Sequence, residues 1–138
     1  MSGAQPVIMS MDRESLKRLS ELLSREDIGV LRAPQTGLLM AVAKDAFATD
    51  FCLGEVLVTE AEAEFRGWSG YAMVMGDEPE KAMLAASAAA IFEGDDEDLK
   101  GRLTRFLAPY AERLNEAEMR ERRLLAKTVV SFETMVKG

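Results

Sequence analysis

The spacing of apolar positions changes along this chain, and each change marks an element. Between Ser10 and Arg25, Leu16, Leu19, Leu22 and Leu23 recur three and four residues apart, with Asp12, Arg13, Lys17, Arg18 and Glu21 between them. That period predicts an amphipathic helix, with Ser10 as its N-cap and Gly29 a little beyond its end. From Ile28 the pattern shortens. Ile28, Val30 and Leu31 lead into Ala33-Pro34-Gln35-Thr36-Gly37, and Leu38-Leu39-Met40-Ala41-Val42 follow. Proline near the start and glycine at the end suit a turn, so this stretch reads as strand, turn, strand. Lys44 to Asp50 reads as a loop, and Phe51 to Thr59 as a strand in which Gly54 marks a bulge.

Glu60, Glu62 and Glu64 then alternate with Ala61, Ala63 and Phe65. In a strand, period two puts the three carboxylates on one face and the apolar residues on the other. Such a row suits a cation, but the wet side of a half-buried sheet explains it more simply. Gly67-Trp68-Ser69-Gly70 supplies a reversal and Tyr71 to Met75 a returning strand.

Asp77 to Pro79 opens a helix. Its body, Glu80 to Phe92, sets Met83, Leu84, Ile91 and Phe92 among six alanines, small enough for neighbours to approach on more than one side; Gly94 ends it. The acidic run Glu93 to Asp98 does not have the spacing of a calcium loop. Leu99, Leu103, Phe106, Leu107, Tyr110 and Leu114 hold one helical stripe through Pro109, which predicts a kink or break near Ala108. Glu112 to Arg123, with Arg120, Arg122 and Arg123 clustered, reads as a solvated helix face. The tail Thr128–Gly138 fits a helix through Phe132, Met135 and Val136, or a strand through Val130, Phe132 and Thr134. The expected fold is α+β: an antiparallel sheet of about four or five strands packed with an N-terminal helix, a central Ala-rich helix and a kinked C-terminal helical segment.

Composition narrows the function. A chain of 138 residues, 48% hydrophobic and 30% charged, makes one domain with a real core. A net charge of −7 and a pI near 4.7 oppose nucleic-acid or anionic-membrane binding. The lone Cys52 has no disulfide partner and reads as inert packing. The N-terminus lacks the pattern of a secretion signal, and the apolar window Met83–Phe92 is too short for a membrane span. The expected compartment is the cytoplasm. Histidine is absent, which removes the commonest general base and metal ligand.

Three blocks occur in order: Leu31 to Leu38 (LRAPQTGL), Leu53 to Thr59 continuing through Gly70 to Asp77 (LGEVLVT, GYAMVMGD), and Phe132 to Gly138 (FETMVKG). With the alanine-rich helix, these resemble PhnG, a subunit family of the bacterial carbon–phosphorus lyase system, from about Leu16 to the C-terminus. The chain departs from the family pattern in three places. Phe47-Ala48-Thr49-Asp50 replaces a glycine-rich turn, Glu60 stands where arginine is usual, and Gly76-Asp77-Glu78 replaces Gly-Arg-Asp. Both arginine losses remove charge that a phosphate contact would use.

The resemblance implies a multi-subunit complex with PhnI-like, PhnH-like and PhnJ-like partners. Its implied reaction replaces the adenine of MgATP by a phosphonate, the α-D-ribose 1-methylphosphonate 5-triphosphate synthase step. An oxocarbenium-like transition state there calls for carboxylates, and the triphosphate for Mg²⁺ and basic groups. This chain has no phosphate-cradling Gly-x-x-x-x-Gly-Lys-Ser/Thr loop and no evident metal-ligand cluster. MgATP is therefore expected as substrate of the complex, with no cofactor bound by this chain alone. The candidate partner or shared-site contacts are Arg32, Thr36, Gly37, Glu55, Thr59, Phe132, Thr134 and Met135, with 128–138 as a partner-docking tail of the single domain 1–138. Two other readings stand beside this one. In a small self-contained enzyme, Arg32, Thr36 and Glu55 would be the working groups; in a homodimeric scaffold, the Leu16–Leu23 stripe and the alanine helix would make the contact.

Overall fold

A computed structural model describes residues 3–137 apart from 45 and 48, and its described side chains exclude those of residues 44, 51, 52 and 125–137. The elements run α1 (Ala4–Met9), α2 (Arg13–Leu23), β1 (Ile28–Lys44), β2 (Asp50–Phe65), β3 (Trp68–Met75), α3 (Pro79–Glu93) and α4 (Glu97–Lys137). The fold is α+β, as expected. Among the described residues its sheet has three antiparallel strands in the order β1-β2-β3, not four or five.

The shortfall in strand number has a specific cause. Ala33–Gly37 does not reverse the chain: β1 continues through it, with register shifts between Val30 and Arg32 and between Arg32 and Gln35. Pro34 has no N–H to give and is tolerated because β1 is an edge strand, where the extra residues form bulges. The bulge expected at Gly54 is present. Gly54 pairs with Ala41 and Cys52 with Val42, which leaves Leu53 as the extra residue, and Gly54 itself has φ 139°.

The β2–β3 reversal falls earlier than Gly67–Gly70. Phe65 pairs with Trp68, so Arg66 (φ 50°) and Gly67 (φ 86°) are the two central residues of a tight hairpin with positive φ at both positions. Arg66 is held there by a 2.9 Å ion pair with Asp96, and its guanidinium lies 4.9 Å from the centroid of the Phe65 ring.

Helix α3 explains the alanines. Ala82, Ala85, Ala86, Ala88 and Ala90 are buried along it, and it lies on Ala61, Ala63 and Ala72 of the sheet, with α1, α2 and α4 packed against it. The approach is closest at Gly70. A Cβ built there would collide with the backbone at Ala90 and Ala86 and lie 2.7 Å from the carbonyl carbon of Ala89. Only a residue without a Cβ fits.

Asp12, rather than Ser10, caps α2: its carboxylate accepts the Ser15 N–H at 2.8 Å. Ser10 ends α1 instead, its hydroxyl donating to the Val7 carbonyl. The Leu stripe of α2 is buried in the chain's own core, so it is not a subunit contact. Helix α4 is capped by Asp96, whose carboxylate accepts the Leu99 N–H at 3.0 Å, and buries Leu99, Leu103 and Leu107. It is not broken at Pro109. Arg105 and Pro109 lie on the exposed side, where water can satisfy the carbonyl that proline leaves without a donor. The tail is the C-terminal end of this helix, which resolves its helix-or-strand ambiguity; the side chains of Phe132, Thr134 and Met135 lie outside the described residues.

Candidate functional site

The helices cover one face of the sheet, and only part of it. On that side Thr59, Ala61, Ala63 and Phe65 are buried, while Glu60, Glu62 and Glu64 point to the open side. Alternation along β2 thus works as the sequence predicts: the glutamates form the wet face. Among the described residues no group of acidic, cysteine or histidine side chains is arranged to hold a metal.

A hydroxyl cluster marks where the helical cover ends. Thr59, fully buried, donates to the Gly76 carbonyl at 2.6 Å and accepts the Glu78 N–H at 3.0 Å. Its cross-strand neighbour Thr36 lies 3.0 Å away, oxygen to oxygen, and donates to Asp77 at 2.8 Å. The cluster ties β1 and β2 to the turn that opens α3. Both hydroxyl protons are spent on protein acceptors, and Thr59 also accepts a backbone N–H, so the cluster is a structural clamp.

On the open face, Tyr71 donates to Glu60 at 2.6 Å, and Arg32 lies 3.8 Å from the same carboxylate. The bond to Glu60 holds the phenol proton and raises the Tyr71 pKa above its ordinary value, with desolvation as a smaller cause. Beside this group a shallow depression of about 200 Å³ is lined by Gln35, Leu39, Val58, Glu60 and Met73, among others.

Beyond Thr59 the character changes. Strand β3 pairs with β2 only over residues 58–65, whereas β1 pairs with β2 back to Asp50. The β1–β2 hairpin therefore projects past both β3 and the helices as a two-stranded arm. Its large exposed side chains are mostly apolar, although Glu55 and Asp50 are exposed too: Leu38 is 62% exposed, Met40 64%, Leu53 66% and Phe47, at the tip, 89%. Antiparallel alternation places Leu38, Met40 and Leu57 on the helix side of the arm and Leu39 on the open side. Met73 and Met75 extend the open-side apolar surface onto β3.

The structure brings Thr36 and Thr59 together, with Gly37 next to them opposite Val58. It does not bring Arg32, Thr36 and Glu55 together. Arg32 reaches Glu60 on the open face, Thr36 points to the helix side, and Glu55 lies out on the arm opposite Met40. Sequence reasoning expects the Leu38–Val42 strand to pack against a larger partner but does not foresee that it projects as an arm, because a turn at Ala33–Gly37 would have folded it back into the sheet. It also missed Tyr71 and Asp77. The exclusively apolar run Leu38–Val42, longer than one buried strand face needs, was the available signal for the arm.

Fold and surface together define a small α+β protein that leaves one end of its sheet uncovered and apolar, which is the form of an association module. The family model for phosphonate metabolism protein PhnG matches residues 4–138, and the chain belongs to that family. Its role therefore lies in phosphonate metabolism. No curated protein matches the chain. No helix among the described residues is long and apolar enough to cross a membrane.

Proposed function

We propose that this chain is an accessory subunit of the carbon–phosphorus lyase core complex. In that role it supports transfer of the ribose 5-triphosphate moiety of MgATP to a phosphonate, with release of adenine. The observation that carries the proposal is the apolar arm on a member of the PhnG family: a chain with this much exposed apolar surface is built to be covered. The groups suspected for independent catalysis are dispersed over two faces and the arm, and the two threonines are occupied as a clamp.

In the proposed complex the PhnI-like subunit supplies the acid–base groups, and PhnH-like and PhnJ-like subunits complete the assembly. This chain contributes shape and contact surface, with the Leu38–Val42 segment and the 128–138 tail as its docking elements. MgATP binds the complex as substrate. The test is adenine release from MgATP and methylphosphonate, assayed with this chain alone, with the PhnI-like subunit alone, and with both. Turnover that requires both supports the proposal. Turnover by the isolated chain that is lost in Glu55→Gln would instead establish the self-contained enzyme.

A further inference from the structure

Resting on that reading, we infer that the β1–β2 arm is a plug that enters a two-walled apolar cleft of a larger subunit, and that basic side chains line the mouth of the cleft.

A two-stranded hairpin on its own is marginally stable in water, and neither face of this one is backed by a helix past Thr59. Leu38, Met40 and Leu57 lie exposed on one side and Leu39 on the other, so a partner touching a single face would leave the opposite one wet. With ordinary side-chain sizes, the apolar surface exposed on the arm is on the order of 800 Å², one partner's share of a standard interface.

The backbone is open as well. The Leu57 carbonyl accepts the Gly76 N–H at 2.7 Å, one residue beyond the last pairing of β2 with β3. Alternation then directs the N–H and C=O of Glu55 to the same side, where β3 has already turned away. Along β1, the half beside the body is guarded by Arg32, Pro34 and two bulges, whereas Gln35–Val42 carries no charge and no proline. Edge strands without such guards are templates for pairing. A cleft wall can supply a strand to either edge.

Charge decides between a second copy and a different protein. Glu60, Glu62 and Glu64 form a row on the open face that starts at the root of the arm and runs back along β2 over the body, Glu60 being held by Tyr71 and Arg32, and the chain carries −7 overall. Two copies meeting through this region would bring like charges together, and a symmetric edge-to-edge contact would cover neither face of the arm. A heterologous partner with basic groups at the glutamate row satisfies both demands.

The test measures binding of the intact chain to the PhnI-like subunit, alone and with the PhnH-like and PhnJ-like subunits, with melting of each variant checked separately. Leu38→Asp/Met40→Asp and, on the other face, Leu39→Asp are each expected to weaken binding at least tenfold with an unchanged melting temperature. Glu62→Lys/Glu64→Lys is expected to weaken it about tenfold at low salt and less at high salt. Wild-type binding that survives either arm variant within twofold overturns the two-walled cleft while leaving the subunit role standing. Binding that Glu62→Lys/Glu64→Lys strengthens overturns the basic mouth. A wild-type chain that binds none of these subunits overturns the subunit role itself, and a discrete dimer abolished by the arm variants overturns the heterologous partner.

Discussion

Gly70→Ala is the sharpest test of how α3 is seated. The new methyl carbon has no side chain to push aside. It meets the helix backbone at Ala86 and Ala90 and sits 2.7 Å from the carbonyl carbon of Ala89. Restoring a normal carbon–carbon separation of about 3.5–4.0 Å means lifting α3 from the sheet by roughly 1 Å. That lift loosens the contact between Ala61, Ala63 and Ala72 and the buried face of α3, and a gap of 0.5–1 Å forfeits about a quarter to a half of each dispersion contact. The expected cost is about 3 kcal/mol or more, at the upper end for overpacking. For a domain of this size it lowers the melting temperature by roughly 10 °C. Urea unfolding, followed by circular dichroism, measures it directly. Gly37→Ala is the control, because a Cβ there meets nothing within 4 Å. A Gly70→Ala protein within about 1 kcal/mol of wild type would refute the close helix–sheet seating.

Other consequences follow from the same geometry. Thr59→Val keeps shape but strands the Gly76 carbonyl and the Glu78 N–H, for a cost of about 1–3 kcal/mol in urea unfolding, while Thr59→Ser keeps most of the stability. In a Tyr110→Phe background, absorbance titration follows Tyr71 alone, and Glu60→Gln should bring its raised pKa down. Because folding raises that pKa, the Tyr71–Glu60 contribution to stability is complete below the ordinary phenol value of 10.0 and is lost as pH rises through the folded value. Asp12 has the opposite sign. Its bonds to Ser15 lower its pKa below 3.8, so its capping contribution is present above that value and lost as pH falls through the folded one. Asp12→Asn should retain the cap and flatten that acid dependence in thermal melts.

Much of the fold was legible because local patterns agreed with it. The Leu stripe of α2, the glutamate–alanine alternation of β2, the Gly54 bulge and the alanine helix behind Pro79 each carry their own period or punctuation. Pro34 and Gly37 misled for a physical reason: on an edge strand their turn chemistry makes bulges, and only the pairing partner distinguishes the two outcomes. Pro109 does not break α4, since a carbonyl facing water loses little when its donor is removed. Ser10 and Asp12 are both sound N-caps by type, and the short helix α1, which the leucine period does not extend into, decides between them. The arm was hidden by the same edge-strand ambiguity. The end of β3 at Met75 is legible, but nothing local reveals that β1 and β2 stay paired beyond it; that is a property of register.

Amide hydrogen exchange over residues 36–42 and 53–57, with and without the PhnI-like subunit, tests most directly whether another protein completes the arm. The free chain should exchange quickly at the open-edge amides of this region, Glu55 among them, and the complex should slow that exchange at least tenfold on both strands. A stable complex in which the arm exchanges at the rate of the free chain would contradict the account.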